Sequence, residues 1–476
     1  MFGLLALDEL IAARYQMALS LGFHIVLSCF GVAFPTMIYV VHRRGLYRGD
    51  EVALTLARKW SKVAAVLFAV GAVSGTILSF EMGLLWPGMM ETFGDVIGLP
   101  FALEGIAFFV EAVFIGIYLF GWDRLPPKVH LRTLIPIMVS GLFGTFCILA
   151  VNAWMNAPSG FRLVEDASGT LRATDVDPLA AIFNRALWPQ FVHMFVATYL
   201  VTGFLAAAVY AVGILRGRRD HAHRLGFVVP FAFATVAALV QPVIGHVAGM
   251  RLATDQPSKL AAMELAVETE TNAPFIIGGV LIDGKVRGGI EIPGLGSLLT
   301  RASTDRAVPG LEEFPVEDRP PANVVHWSFQ MMVASGFAMI AIALSFWWKR
   351  RRSDPFESAW LMRAAVVAGG LSLVALEAGW ITTEVGRQPW IVYGVMRVDE
   401  AVTDNSGIWI SLAAIVVIYT AMGVAAAKVL RSMARRWRES DVVDLPTPYG
   451  PPAPKPLGAN PAPDRTSPNP TSEVLS

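Results

Sequence analysis

Long apolar runs alternate with short polar interruptions along the chain. Nine of the runs, at 16–41, 63–82, 99–121, 131–153, 188–214, 225–249, 324–348, 360–384 and 407–430, meet the length of about 20 mostly apolar residues that a helix needs to cross a bilayer. Backbone polar groups find no water at that depth, so each run is predicted to be a helix. The segments between them alternate in charge. "HRRGLYRGDEVALTLARKWSK", "WDRLPPKVHLR", "RGRRDHAHR", "KRRRS" and "RSMARRWR" are basic. "GLLWPGMMETFGDVIG" has no Lys or Arg, 154–187 mixes acids with a few arginines, 250–323 is net acidic, and 385–406 carries two arginines. Basic loops stay on the cytoplasmic side. The alternation therefore predicts an odd number of spans, with the N-terminus outside and the C-terminus in the cytoplasm. The opening "MFGLLALDELIAARYQ" lacks a basic leader and reads as an amphipathic lead-in helix rather than a cleaved signal.

The expected fold is an all-α integral membrane protein of about nine transmembrane helices. Residues 1–249 hold helices one to six, 250–323 a long outer loop, 324–436 helices seven to nine, and 437–476 a tail rich in Pro and small polar residues, expected to be disordered. Composition agrees: 54% of the 476 residues are hydrophobic and 16% are charged, against about 25% charged in soluble domains. A formal net charge of zero gives nucleic acid no electrostatic foothold. Cys29 and Cys147 both lie in apolar runs and read as buried core thiols.

Ionisable residues at membrane depth are costly and point to function. Glu104 and Glu111 are seven residues apart in the third run, hence on one helix face, and Glu377 and Glu384 repeat the spacing in the eighth. Such pairs suit a proton path, a cation path or metal ligation. His24 and His193 also lie inside runs, where a histidine is a packed residue, a proton carrier or a haem ligand. Met331 and Met332 begin the seventh run at the depth of His193, and His plus Met is a sufficient axial pair for electron-transferring haem iron. His42, His130, His221 and His223 sit in or beside basic loops and read as solvated; His246 and His326 flank the outer loop and stay undecided.

Taken together, "ARYQMALSLGFHIVLS", "FALEGIAFFVEAVF", "FGWDRL", "VNAWMNAP", "FVHMFVATYLVTG", "SKLAAMELAVET", "MMVASGF" and "EAGWITTEVGRQPW" resemble subunit I of the bd-type quinol oxidases, over about residues 9–430. The resemblance implies a terminal respiratory oxidase, a quinol:oxygen oxidoreductase of the bacterial plasma membrane. It implies two b-type haems, one low-spin and one high-spin, together with haem d. It further implies quinol and dioxygen as substrates, a second large membrane subunit (subunit II) and in some members a single-helix small subunit. His193 and Met332 match the low-spin haem ligands, and His24 and Glu384 those of the two high-spin haems. Glu104 and Glu111 match carboxylates tied to the haem pair and its protons, with Glu377 beside them. Trp380 and Arg387 flank Glu384, where the guanidinium suits a haem propionate. Asn152 matches a proton-path residue, and Lys259 and Glu264 match residues of quinol oxidation in the outer loop.

Under this reading quinol is oxidised near the outer face and dioxygen is reduced to water at the high-spin pair, so a proton gradient forms without a pump. The chain departs from the family pattern at Gln330, Val267 and His246. "SGTILSFEMGLLWPG" resembles the short-loop, cyanide-insensitive branch. Two other classes fit part of the pattern: a proton- or cation-coupled transporter, and an electron-transferring cytochrome b without oxygen chemistry.

Overall fold

The computed structural model describes residues 2–165 and 171–439, with side chains from Glu9 to Arg438 within those limits. The helices are α1 (Phe2–Arg48), α2 (Glu51–Leu85), α3 (Pro87–Phe120), α4 (Pro127–Arg132), α5 (Leu134–Asn156), α6 (Pro178–Ile182), α7 (Leu187–Leu215), α8 (His221–Asp255), α9 (Pro257–Glu264), α10 (Leu295–Arg301), α11 (Ala322–Arg350), α12 (Ala359–Val385), α13 (Val398–Ala401) and α14 (Ile408–Glu439). Three short hairpins join them: β1–β2 (Arg162–Glu165, Leu171–Thr174), β3–β4 (Phe275–Ile282, Lys285–Ile292) and β5–β6 (Trp390–Val392, Met396–Arg397). Among the described residues nine helical stretches are long and apolar enough to cross a membrane, α4 and α5 counting as one.

The number agrees with the apolar runs, but the helices outrun them, because backbone hydrogen bonding continues past the first charged side chains. The opening segment is not a separate lead-in helix; α1 is continuous from Phe2 to Arg48. Likewise α3 starts at Pro87 and keeps Pro100 inside it. A proline at the first turn suits a helix start, and an internal one is tolerated where neighbouring helices satisfy the freed carbonyl. Helix α14 runs through 437–439, so the last region begins later than expected, and the expected tail from 440 lies outside the described residues.

The helices have two unlike ends. One carries the three hairpins, α6, α9, α10 and α13 and is called here the loop-bearing end. The opposite, basic end holds the turns near 49, 122, 217 and 353. Loop 256–321 is folded, where the hydropathy pattern predicted only a connection. Its hairpin turns at Asp283–Gly284, both with positive φ, as an Asp-Gly hairpin turn requires. His326, undecided from sequence, is 0% exposed and pins this loop to α11, with Nδ1 2.7 Å from the Met263 carbonyl and Nε2 2.8 Å from that of Gly278. His246 is exposed.

Two expectations fail at the basic end. His42 and His130 are buried, not solvated. His42 Nδ1 lies 3.0 Å from the Tyr118 hydroxyl and His130 Nε2 2.7 Å from the Tyr118 carbonyl, and the His130 ring stacks on that of Tyr118. The basic residues around them mark the chain as interfacial, but the helices fold these two rings inward. His221 is exposed as expected, against Asp50, and His223 is half-buried against Asp220. Cys29 and Cys147 are free and buried.

The core between α7, α8, α11 and α12 is built on Phe204, Phe227, Phe231 and Phe346. Small residues let these helices approach closely: a Cβ on Gly203 would stand 2.5 Å from the Pro230 carbonyl and 2.7 Å from Ala234 Cβ. Gly203→Val is therefore expected to force α7 from α8 and to destabilise the protein by about 1–3 kcal/mol, read as a lower thermal unfolding midpoint in detergent. An unchanged midpoint would show that the contact is slack.

Candidate functional site

A buried polar chain crosses the loop-bearing end. Helix α9 sets Lys259 inward, 3% exposed, its Nζ 3.1 Å from Asn156 Oδ1 at the end of α5. Gln256 donates to the same oxygen at 2.8 Å. Asn156 donates in turn to the Asn152 carbonyl, one helical turn back, at 2.8 Å. Asn152 Nδ2 then donates to Glu384 Oε1 at 2.7 Å, and Arg387 Nη2 to Glu384 Oε2 at 2.5 Å. Loop helix α9 is thus wired through α5 to a carboxylate near the end of α12. Gly386 makes room for the lysine stem: a Cβ there would lie 2.8 Å from Lys259 Cγ.

Two titratable groups on α9 are strongly shifted. Burial, with the Arg387 charge adding to it and Glu384 opposing, lowers the Lys259 pKa to about 7. Burial raises that of Glu264 to about 7, and Glu264 Oε2 has no partner. Both groups can therefore change protonation near neutrality, as an acid–base pair needs.

The intramembrane residues gather on α1 and α5. Glu111 turns to Gly31 of α1 and Gly141 of α5, within 3.7 Å of the position of a Cβ on either, and Glu104 approaches Gly144 of α5. Glu377 Oε2 stands 3.3 Å from the corresponding position on Gly22 of α1. The pair on α3 thus shares one face, as its spacing predicts, whereas Glu377 meets α1 and Glu384 meets α5. His24 Nδ1 is 2.9 Å from Ser74 Oγ on α2. A cavity beside Glu111, toward the basic end, is lined by Gly31, Pro35, Ser61, Phe68 and Tyr118 among others.

His193 on α7 and Met332 on α11 lie in the helix group that also includes α8 and α12. His193 Nδ1 is buried and unpartnered, with Gly245 of α8 against its ring. Met332 Sδ is 3.0 Å from where a Cβ on Gly379 of α12 would be, while Met331 is 49% exposed and points away. Trp380, half-buried, packs on the same core.

These features fit haem. Among the described residues no three His, Cys, Asp or Glu side chains converge as a bare metal cluster. Single N, S and O donors instead suit the axial positions of a metal that a macrocycle already holds. Glycines stand beside His24 (Gly75, 3.0 Å from Cε1 to a built Cβ), His193 and Met332, leaving space that any side chain would fill. Arg387 is 5% exposed, yet its Nε and Nη1 have no partner, as a site for a carboxylate such as a propionate would require.

Sequence reasoning missed Asn156, Gln256 and Ser74. Asn156 was findable, since it follows Asn152 by one helical turn at the end of an apolar run. Gln256 and Ser74 are ordinary polar residues until the fold sets them beside Asn156 and His24.

The sequence profile of the family described as Cytochrome bd terminal oxidase subunit I matches residues 12–437. Cytochrome bd ubiquinol oxidase subunit 1 of Bacillus subtilis (strain 168) is 31% identical over 88% of this chain and 92% of its own length. Cytochrome bd-II ubiquinol oxidase subunit 1 of Escherichia coli (strain K12) is 27% identical over 90% and 96%. The structure of bd oxidase from Geobacillus thermodenitrificans superposes with a TM-score of 0.84 at 35% identity, covering 90% of this chain and 99% of that one.

Replacing the central amide tests the polar chain. Asn156→Leu strands the Lys259 ammonium and is expected to cost about 1–3 kcal/mol, seen as a lower thermal midpoint. Asn156→Asp, which keeps an acceptor for Lys259, should recover part of the loss. Equal midpoints for the two variants would show that the lysine does not depend on this contact.

Proposed function

This chain belongs to the cytochrome bd terminal oxidase subunit I family, and we propose that it forms the quinol-oxidising and dioxygen-reducing subunit of a respiratory oxidase in a bacterial plasma membrane. Membership carries the coarser statements: a multi-pass membrane oxidoreductase, with haem cofactors, a quinol substrate and a second membrane subunit as partner. A single-helix small subunit is part of the proposal.

The observation that carries the finer reading is the buried wiring from Lys259 to Glu384. It joins Lys259, a titratable group on an external helix that also carries Glu264, to a carboxylate and guanidinium within the bundle. Lys259 and Glu264 bind the quinol oxygens, and Glu264 accepts a proton as the quinol is oxidised. His193 and Met332 hold a low-spin b haem; His24 and Glu384 hold the high-spin b and d haems. Arg387 pairs with a propionate, Trp380 packs beside it, and Glu377 lines the same pocket. When bound, the haems supply one-electron transfer and the iron at which dioxygen becomes water. Asn152 orients the Glu384 carboxylate. Glu104 and Glu111 hold and pass protons drawn from the basic end through the cavity beside Glu111. With the loop-bearing end outside, quinol protons leave on one side and protons for water enter from the other. Charge then separates without a pump.

A pyridine haemochrome spectrum of the purified complex tests the class, since a transporter would have none. His193→Ala is expected to remove the low-spin b spectrum and leave the high-spin bands. Met332→Leu should do the same while Met331→Leu, at an outward-facing position, leaves the spectrum intact; the reverse order would overturn the ligand assignment.

Quinol turnover should depend on pH. As pH rises through about 7, Glu264 loses its proton and becomes an acceptor, while Lys259 loses its charge over the same interval. Turnover should therefore peak near neutrality. Glu264→Gln should abolish the rise on the acid side and lower turnover about 10²-fold or more, with all haem bands retained. A wild-type-like pH profile in that variant would refute the proton-accepting role.

A further inference from the structure

Glu81, which the proposed function does not use, lies one turn from the loop-bearing end of α2 and is 2% exposed. Its Oε1 accepts hydrogen bonds from two residues of α1, Gln16 Nε2 at 2.9 Å and Ser20 Oγ at 2.9 Å. Gln16 is 2% and Ser20 0% exposed. Two oxygens of this cluster, Glu81 Oε2 and Gln16 Oε1, are buried with no donor, and so is the Tyr419 hydroxyl of α14. Helix α14 packs on both α1 and α2, and Tyr419 stacks on Phe23. The polar and titratable groups facing Glu81 are thus Gln16 and Ser20 from α1 and Tyr419 from α14. Among the described residues Glu81 has no ion pair, and Arg14 of α1 donates to Gln388 instead.

An ionised carboxylate here would leave two acceptor oxygens without donors and a buried charge without a counter-ion. One proton removes both faults. We propose that Glu81 is a proton-binding site, its carboxyl held neutral in an acid–amide pair with Gln16: Gln16 Nε2–H donates to Glu81 Oε1, and Glu81 Oε2–H donates to Gln16 Oε1. Ser20 completes the site. Gln16, Ser20 and His24 are successive rungs of one α1 face (i, i+4, i+8), and α2 answers with Glu81 and with Ser74, bonded to His24. The protonated carboxyl therefore sits at the loop-bearing end of a polar ladder that leads to His24. The link to a haem centre rests on the function proposed above; the proton-binding site does not.

Infrared spectroscopy of the intact purified complex at neutral pH tests the site. The wild-type minus Glu81→Gln difference spectrum is expected to contain one protonated-carboxyl C=O band that shifts down in D2O. Carboxylate stretching bands in its place would overturn the proposal. Gln16→Met removes the amide, so the same C=O band should move to higher frequency as its hydrogen bonds are lost; an unmoved band would overturn the pairing. Should Glu81→Gln fail to assemble, the wild-type against Gln16→Met comparison decides alone. A haemochrome assay on the same samples reports separately on the proposed function: absent haem would sink that reading without touching the infrared result.

Discussion

A carboxylate inside an apolar bundle must be met by a proton, a cation or hydrogen-bond donors, and much of this protein's internal order follows from how it meets that demand. Glu384 shows it most fully. Its two oxygens are taken by Asn152 of α5 and Arg387 beyond the end of α12. Arg387 is 5% exposed and the Glu384 side chain 25%, and these contacts hold the two helix ends and the turn after α12 to one another. Asn156 and Lys259 extend the same demand outward. The loop helix α9 is docked with its lysine, 3% exposed, on the Asn156 acceptor.

Glycine shapes the complementary part. Three of the four residues proposed to bind metal face glycines on neighbouring helices: His24 faces Gly75, His193 faces Gly245, and Met332 faces Gly379. The carboxylates Glu111 and Glu377 do likewise, against Gly31, Gly141 and Gly22. Elsewhere glycine serves helix approach, as Gly203 does against Pro230 and Ala234. The two uses differ in what lies opposite. Backbone and alanine methyls stand opposite Gly203, whereas donor side chains stand opposite Gly75, Gly245 and Gly379.

How much of this could be read from the sequence depends on how local the signal was. The nine helical stretches long and apolar enough to cross a membrane among the described residues followed from run length alone, because hydropathy is a property of contiguous residues. The Glu104/Glu111 face followed from the helical repeat. The inward turn of His42 and His130 did not, since what buries them is Tyr118 and Trp122 of another segment. The apolar pattern left Met331 and Met332 open and the family resemblance matched Met332; a rotation of about 100° around α11 separates the two, and Met331 is the one 49% exposed. The hairpin in loop 256–321 had a local signal in Asp283–Gly284, but the apolar pattern around it was too short to stand out. Asn156 carried a local signal, one helical turn after Asn152 at the end of an apolar run, whereas Gln256 carries none apart from its three-dimensional neighbours.

The two ends of the bundle differ in a way that bears on direction. At the loop-bearing end, polar groups are continuous from the folded loop to Glu384, each within hydrogen-bonding distance of the next. Glu111 lies deeper and lines a cavity with largely apolar walls, whose other polar members are Ser61 and Tyr118. A continuous chain of amides and charges orients groups and holds their protonation states, while an apolar cavity carries protons only when water enters it. In the function proposed above, proton exchange would rest on side-chain chemistry at the loop-bearing end and on hydration at the other. The proposed function uses that asymmetry: protons would leave through the wired end and be taken up through the apolar one.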